Sequence, residues 1–215
     1  MNASPFVVEE WPEAARVIIR SSIPPVSLQA SSARKRAFKG LLSAAIARNT
    51  SFHFAHDVKV EFTWEIEERK RYETHIVADL DNLLKPLLDA ATGPEGVLFD
   101  DNQVQQIGAS WISVGDGWPE GFTLEFAALL PDEIVRRGGT FIEFTRTRCY
   151  YLPLDRGDPR LVVLVNSLRR MFAGVDELVA LGLPPQEGRG ALPSLRSFPR
   201  ARLSRFTVVP HNEIR

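Results

Sequence analysis

Two acidic runs hold the residues best suited to chemistry. Asp79 and Asp81 stand one residue apart, and Asp100-Asp101-Asn102 follows about twenty residues later. Side chains alternate along an extended segment, so Asp79 and Asp81 are expected to point the same way and approach one ion together. A helix and a turn between the runs can return Asp101 beside them. Magnesium takes hard oxygen ligands in an octahedral shell and keeps some of its waters, which two or three aspartates from different elements satisfy. Such an ion polarises a phosphoryl oxygen and lowers the pKa of a bound water. Lys85 follows Asp81 by one helical turn, at the same end of the helix. Its ammonium is placed to stabilise the extra negative charge of a pentacovalent phosphate transition state. Each residue also has a plainer structural role open to it. Asp81 can be a helix cap alone. Asp81 with Lys85, and Lys85 with Asp89, can be surface pairs worth a few tenths of a kcal/mol. Asp100-Asp101-Asn102 can be only a turn.

The elements that must position these residues are legible in part. Val17-Ile18-Ile19 reads as a buried strand closed by Ile23-Pro24-Pro25. Ser31 or Ser32 caps a helix on which Phe38, Leu41, Leu42, Ala45 and Ile46 recur, with Arg34, Lys35, Arg36 and Lys39 on its first turns. Val58, Val60, Phe62, Trp64 and Ile66 alternate with polar residues, which predicts a strand covered on one face. Glu67 to Arg71 reads as a charged turn, and Thr74-His75-Ile76-Val77 as a short extended stretch. From Asn82 the spacing of Leu84, Leu87, Leu88 and Ala91 predicts a helix capped by Asp81 and stopped by Gly93-Pro94, with Pro86 early in it. Strands at about 103–114 and about 121–129 flank Gly115-Asp116-Gly117-Trp118-Pro119, which reads as a hairpin loop. The order predicts an α/β or α+β domain with a small mixed sheet.

The pattern changes after about residue 131. Thr140 to Leu152 reads as a strand pair or one long strand, and Leu161 to Phe172 as a helix with Arg169-Arg170 in its last turn. Residues 183–206, rich in Pro, Arg, Ser and Gly, read as an irregular segment. The division predicts domains at 1–130 and 131–215. The net charge of −1 conceals a contrast between them. Residues 1–131 carry a net −6 and residues 132–215 a net +5, which suits metal-binding carboxylates in the first part and a polyanion partner for the second. Cys149 is the sole cysteine, so no intramolecular disulfide forms; it is expected in the core. The N-terminal residues lack a signal-peptide pattern and no run is long enough to span a membrane, so a soluble, cytoplasmic protein is expected.

The run from Asp79 to Val104 resembles the RusA-type Holliday junction resolvases. In that family a D-x-D-N-x-x-K segment opens a helix and a D-D-x-Q-V segment follows. This chain reads Asp79-Leu80-Asp81-Asn82-Leu83-Leu84-Lys85, then Asp100-Asp101-Asn102-Gln103-Val104. The resemblance implies metal-binding aspartates at Asp79, Asp81 and Asp101, a catalytic lysine at Lys85, and Mg2+ as cofactor. It implies a small homodimeric α/β nuclease that nicks four-way DNA junctions. It is strong over the Asp79–Val104 run and looser over about 16–130. Two features depart from the family: the basic residues Arg69, Lys70 and Arg71 are set back from Asp79, and residues 131–215 have no counterpart.

Other residues enter as candidates. Asp100 is placed to support the metal ligands from behind. Arg34, Lys35, Arg36 and Lys39 are candidate phosphate contacts, and His75 a candidate for activating water. Asp89 is expected to face away from the site. Arg196, Arg200, Arg202 and Arg205, interleaved with Phe198 and Phe206, suit phosphate contacts and base stacking. Two further readings stay open: a non-catalytic branched-DNA-binding protein, and a metal nuclease for another nucleic acid.

Overall fold

The computed structural model describes residues 4–75, 77–115, 117–130, 133–190 and 195–215. Chain contacts divide it into two units, residues 1–135 and 136–215. Ile76, Asp116 and Leu192, within the stretches predicted above, lie outside the described residues.

The first unit is built on a five-stranded sheet. Its strands are β1 (Phe6–Trp11), β2 (Arg16–Ser21), β4 (Val58–Glu67), β5 (Val104–Val114) and β6 (Gly121–Ala128), in the order β1-β2-β6-β4-β5. A short β3 (Phe52–Phe54) pairs with β7 (Ile134–Arg136) apart from it. β5 runs parallel to β4 and the other neighbours are antiparallel, so the sheet is mixed. Val58, Val60, Phe62, Trp64 and Ile66 are buried, as the alternation on β4 predicted. They meet helix α1 (Ser32–Asn49) and helix α3 (Leu80–Ala91) through Phe38, Leu42, Ile46, Leu83 and Leu87. The two helices are joined by the Ser43 hydroxyl, which donates to the Ala90 carbonyl at 2.7 Å.

Several local expectations are corrected. β5 and β6 are not a hairpin, because the apolar β4 lies between them and pairs with both. Two strand spacings are about 10 Å, well within reach of the six-residue connection. Glu67–Arg71 is not a turn: Glu68–Glu73 forms helix α2, with Arg69 and Glu73 paired one turn apart at 3.4 Å. Leu41 is exposed and does not join the core face of α1. The N-terminal strand β1, absent from the sequence reading, covers β2 at the sheet edge. Ser31 is the cap of α1, its hydroxyl accepting from the Arg34 N–H at 3.3 Å.

The second unit has its own four-stranded sheet, β10-β9-β8-β11. β8 (Thr140–Thr145) and β9 (Arg148–Leu152) form a hairpin, β10 (Ser197–Pro199) pairs antiparallel with β9, and β11 (Val208–Pro210) pairs parallel with β8. Both faces are covered. On one, Ile142, Leu152 and Val209 meet Leu161, Val165 and Leu168 of helix α4 (Pro159–Ala180). On the other, Phe141 makes edge contacts with Tyr151, Phe198 and Phe206. Helix α4 runs eight residues beyond Phe172, which moves Arg169-Arg170 from its predicted last turn to its middle. The predicted irregular segment contains helix α5 (Pro185–Gly190), β10 and a 3-10 turn at Arg200–Arg202. Cys149 is fully buried, and burial pushes its thiol pKa up to about 11. Among the described residues, no helix is long and apolar enough to cross a membrane.

Candidate active site

Helix α3 begins two residues earlier than its apolar pattern suggested, so Asp81 is not its cap. Asp79 is the N-cap residue, extended at φ −64° and ψ 149°, and Asp81 lies in the first turn. The pair therefore straddles a helix start instead of sharing one extended face, and helix positions two apart diverge. The Asp79 carboxylate makes no capping bond; its backbone carbonyl accepts from the Asn82 N–H at 3.1 Å. Asp81 Oδ1 accepts from the same N–H at 2.8 Å. Both carboxylates are exposed beside the positive end of the helix dipole.

Pro86 sits inside α3, where it removes the hydrogen bond that the Asn82 carbonyl would otherwise receive. That carbonyl instead accepts from the Leu28 N–H at 2.7 Å. The Leu28 carbonyl in turn accepts from Lys35 Nζ at 2.7 Å. A proline in the helix thus fastens the loop after Pro24-Pro25 to the start of α3, and Lys35 of the basic cluster is engaged in that fastening. The helix ends at Thr92, followed by Gly93 at φ 108°, a backbone conformation that favours glycine.

The second acidic run is divided between building and presentation. Asp100 is buried and caps the 3-10 turn Asp101–Gln103, accepting from the Asn102 N–H at 3.2 Å. Gln103 is wholly buried. Its Oε1 accepts from the N–H groups of Phe99 at 2.7 Å and Asp100 at 3.1 Å, and its Nε2 donates to the carbonyls of Phe54 at 2.8 Å and His56 at 2.9 Å. All four hydrogen-bonding positions of the amide are filled. Asp100 and Gln103 form a capping box that fixes the turn to β3, and Asp101 is left partly exposed on it. The role of Gln103 was not drawn from the sequence, although the D-x-x-Q spacing before a strand carries the signal of a capping box.

Lys85 links helix α3 to the second acidic run. Its ammonium donates to Asp101 Oδ2 at 2.6 Å and pairs with Asp89 Oδ1 at 2.8 Å. The i,i+4 pair of Lys85 with Asp89 that the spacing allowed is formed, so Asp89 does not face away from the site. The hydrogen bonds to Asp101 and Asp89 hold the Lys85 pKa above its ordinary 10.5, so the group is a fixed cation near neutrality and not a general base.

Oxygen donors on Asp79, Asp81 and Asp101 suit a hard divalent cation in chemical type. Their side chains are not gathered into a cluster: among the described residues, no group of three or more acidic, histidine or cysteine side chains is placed to hold a metal ion. The contact of Lys85 with Asp101 partly neutralises one donor.

Beside the start of α3 lies a cavity of about 490 Å³, bounded in part by Pro24, Arg34, Lys70, His75, Ala78 and Leu83. The fold thus brings Arg34 and His75 to one hollow next to Asp79, whereas Lys35, Arg36 and Lys39 do not line it. Lys70 is paired with Glu120 at 2.8 Å and Arg71 lies over the rings of Tyr72 and Trp111, so the set-back basic run serves α2 and its neighbours. In the second unit, Arg200 pairs with Glu143 at 3.3 Å and Arg196 lies over Phe198.

Compared with known proteins, residues 27–120 match the family model described as Endodeoxyribonuclease RusA. The match covers α1, β4, α3 and β5 with both acidic runs, and none of the second unit. No curated protein matches the chain.

Proposed function

We propose, from the match of residues 27–120 to the Endodeoxyribonuclease RusA model, that this chain is a magnesium-dependent, structure-selective endonuclease. It would nick Holliday junctions or other branched DNA. The observation that carries the reading is the meeting of Lys85 with Asp101 at 2.6 Å, sixteen residues apart in sequence. Asp79, Asp81 and Asp101 would hold Mg2+, which when bound polarises a phosphoryl oxygen and lowers the pKa of water. The remaining work falls to the chain's own residues. Lys85, held protonated by two carboxylates, supplies a fixed positive charge for the anionic phosphate. The Asn82 carbonyl, bonded to Leu28, fixes the loop that borders the adjacent cavity, and Arg34 offers a phosphate contact within it. Gln103 holds the turn that carries Asp101 against β3.

A homodimer would set two such sites on the two strands of a two-fold junction. The edge strand β5 supports this. It has eleven residues without a charged side chain, and Ile107 and Ile112 on it are more than half exposed. Uncharged edges of this length readily pair with another strand. Sedimentation should give twice the mass of the chain, and Ile107→Lys should shift it toward the monomer. A wild-type monomer at micromolar concentration would dismiss the dimer.

The deciding experiment is cleavage of a synthetic four-way junction by the wild type and by Asp101→Asn, with and without magnesium. Symmetric nicks made only by the wild type with magnesium support the reading. Equal cleavage by Asp101→Asn removes that residue from the site. A second reading, a branched-DNA-binding protein without catalysis, is favoured by the absence of a gathered metal cluster among the described residues. Junction binding with no cleavage across several divalent metals would select it. Preferential cleavage of flaps, single strands or RNA would select a nuclease of different substrate.

A further inference from the structure

We propose that the second unit binds one unpaired nucleotide of a DNA strand in a cavity of its own, a proposal that rests on the DNA-directed reading above. The cavity measures about 460 Å³, within the range of small-ligand sites. Phe144, Tyr150, Phe172 and His211 supply rings to its lining, and Arg148 and Arg169 supply guanidinium groups. The rings form one connected cluster: Phe144 lies 5.0 Å from Phe172, 5.7 Å from Tyr150 and 5.3 Å from His211, centroid to centroid. Phe144, Phe172 and His211 are only partly buried, so aromatic surface remains available to a ligand.

Two features select a nucleotide over a purely apolar ligand. Arg169 Nε donates to His211 Nδ1 at 3.0 Å, Nη1 to Asn166 Oδ1 at 2.6 Å and Nη2 to the Ile214 carbonyl at 3.4 Å. These acceptors are neutral, so none of them cancels the charge of the guanidinium. The same bond fixes Nδ1 of the neutral His211 as an acceptor, which leaves Nε2–H as a donor. Arg169 and Asp176 are seven residues apart on α4, about 10 Å along its axis. The cavity therefore has a cationic end suited to phosphate and an acidic end suited to accept from an N–H group of a base, N3–H of thymine included.

The surrounding charge points the same way. Between Arg136 and Arg215 there are 14 Arg, no Lys and 7 Asp+Glu, a net of +7. Arginine stacks on rings and grips phosphate bidentately, where lysine offers only a point charge. Stacking is indifferent to base identity, which suits an enzyme directed by DNA shape.

The test uses the full-length chain in EDTA, so that no metal-dependent cleavage occurs. Binding of a short fluorescent oligothymidylate is compared with that of a blunt duplex of equal length. Ala173, exposed on α4, also lines the cavity, so Ala173→Trp fills it from outside the core. This variant should weaken oligothymidylate binding by about 5- to 150-fold, the range for one lost base stack, and leave duplex binding unchanged. Arg148→Gln, on the exposed start of β9, should lower the salt dependence of single-strand binding by about 0.7 in the log–log slope. Circular dichroism checks that both variants are folded. Unchanged oligothymidylate binding by both, or a parallel loss of duplex binding, overturns the proposal. Failure of the wild type to bind the oligonucleotide overturns it too. Junction cleavage by that same preparation, with magnesium restored, then decides separately whether the proposed function stands.

Discussion

The two units solve the same packing problem with different polar chemistry. Each puts a mixed sheet against helices, and each buries a contiguous apolar core. In the first, the polar groups that matter are tied to the fold: Gln103 has all four bonds filled, Asn82 is matched to Leu28, and Lys85 is shared by two carboxylates. In the second, Arg169 is steadied by neutral acceptors at the edge of a ring-lined cavity. A site for chemistry needs its charges held at set positions, whereas a site for binding gains from cations whose charge is not cancelled. The family match follows the same division, since it ends within the first unit.

The contrast can be broken most sharply at the acidic pair. Asp81→Asn should lower junction cleavage by on the order of 10²-fold or more, a typical loss when electrostatic stabilisation is removed, while junction binding persists. Retained cleavage would take Asp81 out of the catalytic set. Next in size is Phe141→Ala, which empties a fully buried ring site in the second unit and should cost about 3–5 kcal/mol. Thermal unfolding should then show an early transition, with junction cleavage surviving below the later one. A single early transition that also ends cleavage would mean that the units do not unfold separately.

Gln103→Leu offers the reciprocal test. It leaves buried N–H and carbonyl groups without the side-chain amide, at a cost of about 3 kcal/mol, and should loosen the Asp101 turn before it affects the second unit. Proteolysis near residue 101 would report this; an unchanged cleavage pattern would deny the turn its dependence on Gln103. The smallest effects are those of pH. Lys85 titrates above its ordinary 10.5 in the folded chain, so its contribution is present below that value and fades as pH rises past it. His211 is shifted the other way, below 6.5, by burial and then by Arg169. Its neutral form is favoured by the fold, so the second unit should lose stability as pH falls below 6.5. Acid titration of Phe172→Trp fluorescence would measure this, and a flat response between pH 7 and about 5 would contradict it.

The sequence by itself determined the strand β4, the helix carrying Lys85 and the acidic runs on either side of it, and narrowed the cap of α1 to Ser31 or Ser32. These follow from local rules: alternation, helical spacing and capping chemistry act over a few residues. The strand order was decided only in three dimensions, because a hairpin and a pair split by β4 share the same local pattern. So was the length of α4, which continues through Gly174, a residue that disfavours helix, for six residues more. Lys85 meets Asp101, Gln103 reaches β3, and the Leu28 N–H replaces the one that Pro86 lacks. Hydrogen bonds across long stretches of chain leave little trace in local spacing, since their partners are brought together by the burial of the core and not by the residues between them.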